Sequence, residues 1–412
     1  MTQELSPAAP VAPALRPVAP GQLAWLENEV ATWHAAGVVD ASQAQAIRSR
    51  YVAVQRFSLT KLLLFIGGAF VGVGLLWLVA TNLNGMSPWL RFAVVTSLWL
   101  GFVATAEVLA ERRAHRVSDG SDGASPVVGA FRLLAALTFG GVVFQAAQSL
   151  QVPAFEPALV GVWGLGALLY AYAVGGVTPL LVGIAATTGW YVWEVFEAAE
   201  DGMAFVLPTL LAAVFAGAVA AIHAGRWRPV FAATWREASA LLALLALFVA
   251  AFPFVDVDQF VWSAPIVVGI VAALAAVAAS VLLSTGRARL EALAPLIALG
   301  AGVLLVLWEP PEPIQGVVTS EGYAHAFISV AVYVVAAGWY AALGVLRDST
   351  RLTFVATAAL VLFTTVQSFA VFAPIITGAT LFLVLGVIFL GSGYVFDRGR
   401  RRLVANLEGA SA

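Results

Sequence analysis

The sequence predicts an all-α protein, a polytopic bundle of about twelve transmembrane helices that follows a short N-terminal cytoplasmic helical hairpin. Three observations predict this fold class. Hydrophobic residues make up 61% of the chain and charged residues 11%, whereas a soluble domain is about 45–50% apolar and about 25% charged. Apolar runs of roughly 20 residues, enough to cross a hydrocarbon core as helices, recur along the chain. Arginines and carboxylates also alternate between successive connections.

The N-terminal segment is predicted to lie outside the membrane. Residues 1–20 are rich in Pro and Ala and are expected to form a disordered tail. Residues 21–56 are expected to form an amphipathic helical hairpin at the cytoplasmic face. Gly37 is placed to end its first helix in a left-handed conformation, and Asp40 with Gln43 is placed to start the second helix with a capping box.

Residues 57–396 are predicted to form the transmembrane bundle, and residues 397–412 a basic cytoplasmic tail. The first two long apolar runs are separated by a short uncharged loop of turn residues. Together they fix the membrane orientation of the spans that follow. The predicted spans are 61–81, 89–109, 127–149, 157–174, 179–196, 203–224, 235–254, 261–283, 292–308, 323–346, 352–372 and 374–395.

The distribution of charge tests these spans independently of hydropathy. Arginines and the single lysine cluster in alternate connections, among them Arg112, Arg113, Arg226, Arg236, Arg287, Arg347 and Arg351. The connections between them carry carboxylates, among them Glu156, Glu197, Asp201, Asp256, Glu309 and Glu321. Because cytoplasmic loops carry the positive excess, the pattern predicts a multi-pass protein of the inner (plasma) membrane with both termini in the cytoplasm.

Composition also argues against several chemistries. The chain has no cysteine, so disulfides and thiolate sites are excluded. Its four histidines have no metal-ligand spacing, and no phosphate loop, dinucleotide fingerprint or nucleic-acid patch is present. The sequence therefore predicts no cofactor, no metal and no nucleic-acid partner, and it favours a protein that is not an enzyme, although an intramembrane transferase stays open.

Polar residues gather near the outer ends of several spans. Because these polar residues lie at a similar depth, they could line an outward-facing polar cavity. The alternative interpretation is that they form helix–helix hydrogen bonds and an aromatic belt at the membrane interface. The candidate cavity residues are Asn82, Arg91, Gln145, Gln148, Trp163 and Glu194. At the opposite end, Glu107 and Arg132 lie at one depth and are expected to form a structural ion pair. Glycines such as Gly161 and Gly164 suit close helix packing.

Three stretches of the sequence match motifs of one known protein family. The first runs from Trp33 through Gly37 and Asp40 to Gln43, and the second runs from Leu78 to Asn82 with Pro88 and Arg91 following. The third runs from Phe139 to Gln148, with Trp163 beyond it. These stretches resemble a bacterial family of predicted membrane proteins, domain-of-unknown-function family 2157. Leu83 stands where that family has a tryptophan, and Leu150 where it has a tyrosine. The resemblance covers roughly residues 25–195 and implies an inner-membrane protein without an established activity.

Two functions are weighed on these observations. The first is a non-enzymatic membrane scaffold or envelope-associated component, held in the lipid bilayer, whose hairpin binds a cytoplasmic protein partner. The second is a secondary transporter, or a protein that handles lipids or small molecules through the outward cavity. Transporters usually place charged or broken-helix sites near the midplane, whereas the ionisable residues here lie near the interfaces, which favours the first function.

Overall fold

The computed structural model describes residues 16–18, 20–53, 66–68, 70–72, 74, 87–116, 125–153, 155–198, 201–226, 229–252, 260–284, 288, 291–308, 319–347 and 349–372. The chain divides into two compact units, residues 1–67 and 68–412.

The N-terminal unit contains two helices and a short strand pair. Helix α1 spans Pro20–Ala35 and helix α2 spans Ala41–Arg48. Strand β1 (Arg16–Val18) pairs in parallel with strand β2 (Tyr51–Ala53), with Arg16 opposite Tyr51. This pairing was not predicted from the sequence, and it places part of the expected tail in a two-stranded sheet.

Hydrogen bonds at the turn explain why the chain reverses between α1 and α2. Gly37 has φ +74°, its N–H donates to the His34 carbonyl, and the Val38 N–H donates to the Trp33 carbonyl. This is the Schellman arrangement that ends a helix at a left-handed residue. At the start of α2, Asp40 and Gln43 each accept the other's backbone N–H. The predicted end of the first helix and the predicted capping box are both confirmed.

The second unit is a helical bundle. Pro88, Pro126, Pro157 and Pro229 each open a helix, where the missing N–H costs no hydrogen bond. The helices are α3 (Pro88–Arg116), α4 (Pro126–Ser149), α5 (Pro157–Val174), α6 (Val177–Phe196), α7 (Gly202–Arg226), α8 (Pro229–Ala250), α9 (Ala264–Leu283), α10 (Leu293–Leu307), α11 (Ser320–Leu346) and α12 (Thr350–Phe372). Residues 66–68, 70–72 and 74 are also helical.

The core of the bundle surrounds the hairpin of α7 and α8. Most of the apolar stretch of each of these helices is buried, whereas only a small share of that of α3 and α9 is buried. Leu210 and Leu244 are fully buried between the two helices. Tyr333 of α11 stacks on Phe363 of α12, with ring centroids 3.7 Å apart, and extends the core to the last helices described. Helices α6, α9, α10, α11 and α12 pack against this central pair, whereas α3 packs on α4, and α4 packs on α5 and α6.

An all-helical, polytopic bundle is confirmed, but the described residues contain fewer candidate spans than the twelve predicted. In the described part of the chain, eight helices are long and apolar enough to cross a membrane. The predicted span 179–196 corresponds to α6, which is 20 residues long but is not among these eight. The predicted span 292–308 corresponds to α10, whose 15 residues reach only about 22 Å at 1.5 Å per residue.

The other differences concern the two ends of the predicted bundle. The predicted span 61–81 is described only at seven helical positions. The last predicted span, 374–395, and the basic tail, 397–412, lie outside the described residues. Of the expected tail at 1–20, only residues 16–18 and 20 are described.

Candidate functional site

The first ionic cluster consists of Glu107 of α3, Arg132 of α4 and Tyr170 of α5. The Arg132 guanidinium donates from Nε and Nη2 to the two Glu107 carboxylate oxygens, at 2.9 and 2.7 Å. The Tyr170 hydroxyl donates to Glu107 Oε1 at 2.9 Å. The predicted pair of Glu107 and Arg132 is confirmed. With Tyr170, it ties three consecutive helices together.

The second ionic cluster consists of Arg236 of α8, Glu291 and Arg347. Arg236 donates from Nε and Nη2 to the Glu291 carboxylate at 2.9 and 3.2 Å. Arg347, at the end of α11, forms an ion pair with the same carboxylate. The side chain of Glu291 is only 3% exposed and that of Arg236 9%. One buried carboxylate therefore joins the ends of α8 and α11 beside the start of α10.

Both clusters place a carboxylate where it can be fully paired. A charged side chain that loses contact with water is costly unless a counter-ion and hydrogen bonds replace its hydration. Each carboxylate here accepts two hydrogen bonds from one arginine and interacts with one further partner. Both clusters lie at helix ends that the sequence predicts to be cytoplasmic. The arrangement holds helix ends together.

A third polar contact joins α5, α7 and α8 near the same predicted side. The Tyr172 hydroxyl lies 3.1 Å from His223 Nε2, and the Trp235 indole N–H donates to the Tyr172 oxygen at 3.1 Å. His223 Nδ1 lies 2.8 Å from the Val219 carbonyl oxygen. Because a carbonyl can only accept, Nδ1 donates a proton to the Val219 oxygen. This chain of hydrogen bonds also connects helices.

Two of the predicted cavity residues make contacts within the bundle. The Trp163 indole N–H of α5 donates to the Ala136 carbonyl of α4 at 2.8 Å. The carboxylate of Glu194 accepts from the indole N–H of Trp190, one turn earlier on α6, at 3.1 Å. The first contact is a helix–helix hydrogen bond, as the alternative interpretation expects, whereas the second lies within one helix.

The other predicted cavity residues differ in exposure. Gln145 is buried in α4, while Gln148, three residues later, is exposed. Arg91 is partly exposed in the first turn of α3. Asn82 lies outside the described residues. The outward cavity stays a prediction.

Glycines bring α4, α5 and α6 close together, as the sequence predicted for Gly161 and Gly164. A Cβ atom at Gly161 would lie 2.8 Å from the Trp190 ring, and one at Gly164 would lie 2.6 Å from the Thr187 backbone nitrogen. A Cβ atom at Gly140 would lie 2.7 Å from the Trp163 ring. The two tryptophans therefore fill notches that glycine leaves on the neighbouring helix.

An apolar groove of about 450 Å³ lies between α7, α9 and α10. Residues 207–214, 270–277 and 296–304 contribute its lining, which consists of Leu, Ile, Val and Ala side chains and Gly300. The sequence analysis did not predict this groove. Among the described residues, no group of three or more His, Asp or Glu side chains could hold a metal ion.

Sequence reasoning missed Glu291, Tyr170 and the contacts of His223. A signal for Glu291 was present, because it is a carboxylate in a connection that otherwise carries arginines. Glu107 was predicted to be paired because it is an ionisable residue in an apolar span and lies at the same depth as Arg132. His223 and Tyr172 are 51 residues apart, and no local pattern in the sequence connects them.

Comparison with protein-family models matches residues 31–180 to the family described as Predicted membrane protein (DUF2157). The matched segment is less than half of the chain, and it runs from the second half of α1 to the start of α6. The resemblance drawn from the sequence is confirmed for this segment. No curated protein and no solved structure matches the chain. The chain is thus a membrane protein with several candidate transmembrane helices.

Proposed function

We propose that this chain is a non-enzymatic membrane scaffold, a rigid helical bundle that presents its N-terminal hairpin to a protein partner. The observation that carries the proposal is the use of the charged side chains inside the bundle. Glu107, which is 36% exposed, and Glu291, which is 3% exposed, are both paired with arginines at helix ends and connect neighbouring helices. A catalytic carboxylate or a transport site needs a group that a substrate or ion can reach.

The hairpin is the proposed docking element. In this unit Trp25 of α1 is 61% exposed and Val38, in the turn between the helices, is 70% exposed. Large exposed apolar side chains are common anchors of protein interfaces. The capping box and the Schellman turn fix the backbone that presents these two residues, so little ordering would be needed on binding.

The proposed location is the inner membrane, with the hairpin in the cytoplasm. Support comes from the charges at the ends of the described helices. Arg112 and Arg347 lie on the predicted cytoplasmic side, and Glu156 and Glu321 lie on the other. This distribution follows the positive-inside rule.

A quantitative affinity purification of the full-length chain from native membranes tests the scaffold proposal. The expected result is one or more proteins enriched with the unaltered chain and reduced at least fivefold with Trp25→Ala or Val38→Ser. Thr32→Ala, an exposed substitution on α1, is the matched control and should leave the enrichment unchanged. Equal recovery with all four chains would contradict docking at the hairpin.

Lipid handling is a second candidate function, and the apolar groove is the observation that favours it. Proteins bind apolar ligands in clefts of about 300–1,000 Å³ lined mainly by hydrophobic side chains. The groove between α7, α9 and α10 has this size and lining.

A further inference from the structure

The helix pair of α3 and α4 contains polar groups that the scaffold function leaves unexplained. Gln145 of α4 is only 7% exposed, and among the described residues none forms a hydrogen bond with its side-chain amide, whereas its backbone carbonyl accepts from Ser149. Thr96 of α3 carries a buried hydroxyl that also has no hydrogen-bond partner among the described residues. Because unsatisfied polar groups are costly inside a membrane bundle, two of them in one helix pair require a partner.

Two contacts fix how α3 lies along α4. Glu107 accepts hydrogen bonds from Arg132, and the rings of Trp99 and Phe139 lie 5.3 Å apart. From the first contact to the second, the count goes eight residues back along α3 and seven residues forward along α4. The two helices are therefore antiparallel, and they advance together at about 1.5 Å per residue.

The same count places three polar side chains near each other in depth, at the predicted outer end of the pair. From the contact of Trp99 with Phe139, Arg91 lies about 12 Å along α3 and Thr96 about 5 Å along it. Gln145 lies about 9 Å along α4 from the same contact. A guanidinium, a hydroxyl and an amide therefore lie within about 8 Å of depth on two helices that pack together.

The charge of this region favours an anion. Residues 88–106 of α3 and 133–149 of α4 contain no Asp or Glu, and Arg91 is the only charged residue in these two stretches. Glu156, which follows α4 in the chain, is exposed at the start of α5. A guanidinium, an amide and a hydroxyl all donate hydrogen bonds, and donors around a fixed positive charge bind an anion.

The depth of the three side chains indicates which anion they meet. Trp89 and Leu90 directly precede Arg91 in the first turn of α3 and are 72% and 51% exposed. Tryptophan is enriched where the hydrocarbon of a bilayer meets the head groups. The Arg91 guanidinium therefore lies at the level of phospholipid phosphates, and arginine binds phosphate through paired N–H donors.

We infer that Arg91, Thr96 and Gln145 form a binding site for a phosphate anion at the predicted outer end of α3 and α4. The phosphate belongs either to the head group of a phospholipid or to a free ion, and both present the same acceptor oxygens to the three donors. This inference goes beyond the scaffold function and does not depend on docking at the hairpin. It gives part of the predicted outward cavity a ligand class.

The test measures how ligands change the unfolding temperature of the full-length chain in a neutral detergent, since a ligand that binds only the folded state stabilises it. The ligands are dioctanoyl phosphatidylglycerol, dioctanoylglycerol, which has the same acyl chains without the phosphate, and inorganic phosphate. We expect a phosphate-bearing ligand to raise the unfolding temperature and dioctanoylglycerol to leave it unchanged. Stabilisation by phosphatidylglycerol alone would assign the site to a lipid head group, and stabilisation by inorganic phosphate would assign it to a free ion.

Two pairs of substitutions make the test specific. Arg91→Gln and Gln145→Leu should each lower the stabilisation at least threefold. Arg112→Gln removes the same charge from the other end of α3, and Gln148→Leu makes the same replacement at an exposed position of α4. Both of these controls should leave the stabilisation unchanged. Because leucine is favourable in a membrane helix, neither leucine variant should impair folding.

Three results would overturn the inference. Equal stabilisation by phosphatidylglycerol and dioctanoylglycerol would mean that the protein responds to acyl chains and not to phosphate. Equal loss in Arg91→Gln and Arg112→Gln would mean that anions respond only to the overall charge of the protein. Stabilisation by none of the three ligands would mean that no phosphate site exists. None of these results bears on docking at the hairpin, which the purification tests separately.

Discussion

At the scale of single residues, Glu291 is the side chain that holds the second ionic cluster together. It accepts both donors of Arg236 and pairs with Arg347. Glu291→Ala would leave Arg236, which is almost fully buried, without its counter-ion. We expect the free energy of unfolding to fall by about 3–5 kcal/mol, the usual result of removing one partner of a buried ion pair. Thermal or denaturant-induced unfolding in detergent micelles measures this loss.

A neighbouring glutamate supplies the control. Glu237 lies 4.0 Å from Arg351, whose side chain is 74% exposed. The Glu237 side chain is itself only 18% exposed, but its arginine partner is in contact with water, so this pair contributes about 1 kcal/mol or less. Glu237→Ala should therefore change stability far less than Glu291→Ala. If the two substitutions destabilised the protein equally, the role assigned to the second ionic cluster would be wrong.

The carboxylate of Asp40 makes the stability of the start of α2 depend on pH. The Gln43 N–H and the Ser42 hydroxyl donate to its carboxylate, and they hold the pKa of Asp40 below its ordinary value of 3.8. A carboxyl whose pKa is lower in the folded state stabilises that state above the ordinary pKa. The stabilisation is lost as pH falls through the folded pKa. Acidification below about pH 3.8 should therefore weaken the start of α2.

Hydrogen exchange measures this effect in the full-length chain. After correction for intrinsic exchange rates, amide protection in 41–48 should fall as the pH drops below 3.8. Asp40→Asn keeps a capping oxygen without a titrating proton, so its protection should not change over the same pH range. Parallel curves for the two chains would show that another group causes the pH dependence.

Residue chemistry also explains what the sequence could predict of the polar sites. Glu107 and Arg132 were paired in advance because a charge within a long apolar helix needs a partner at its own depth. Glu291 precedes an apolar run and has the appearance of a loop residue. Its burial depends on Arg236 and Arg347, each more than 50 residues away in the chain. Such a three-residue contact arises only from the packing of α8 against α11.

At the scale of helices, the close approach of α5 and α6 depends on small residues. A Cβ atom at Gly183 of α6 would lie 2.8 Å from the Leu168 backbone nitrogen and 2.7 Å from its side chain. The backbone cannot yield as a flexible side chain can. We expect Gly183→Ala to destabilise the bundle by about 1–3 kcal/mol, the usual cost of overpacking.

The same helix offers the matched control for this substitution. Gly189 is exposed, and a Cβ atom there meets nothing within 4 Å. Since alanine has the higher helix propensity, Gly189→Ala should leave stability unchanged or raise it by up to about 1 kcal/mol. Unfolding in detergent compares both variants with the unaltered chain. A loss of stability from Gly189→Ala equal to that from Gly183→Ala would point to backbone flexibility instead of close packing.

Helix positions were predictable because hydropathy and proline mark them directly. The predicted span 157–174 coincides with α5, and 127–149 differs from α4 by one residue. The number of spans was not predictable in the same way. Helices α6 and α10 are apolar enough to be buried in a bundle. The polar residues of α6 and the short length of α10 are the features that keep these two helices out of the set of candidate spans. The strand pair of β1 and β2 depends on two segments of three residues, too short for a periodic signal.

At the scale of the whole molecule, the orientation in the membrane is the proposal with the widest consequences. It decides which side of the membrane the hairpin and both ionic clusters face. Because the natural chain contains no cysteine, a single introduced cysteine reports its own location without background. Two exposed positions are suitable, Ala114 near the end of α3 and Phe155 between α4 and α5. One candidate span, Pro126–Ser149, separates them.

Intact cells that express each single-cysteine chain are treated with a membrane-impermeant maleimide. Phe155→Cys lies beside Glu156, on the side without arginines, and should react in intact cells. Ala114→Cys lies beside Arg112 and Arg113 and should react only after the membrane is permeabilised, because the positive-inside rule places that connection in the cytoplasm. Reaction of both positions from outside would show that α4 does not cross the membrane. The reverse pattern would place the ionic clusters on the outer side and would contradict the proposed cytoplasmic location of the helix ends that they join.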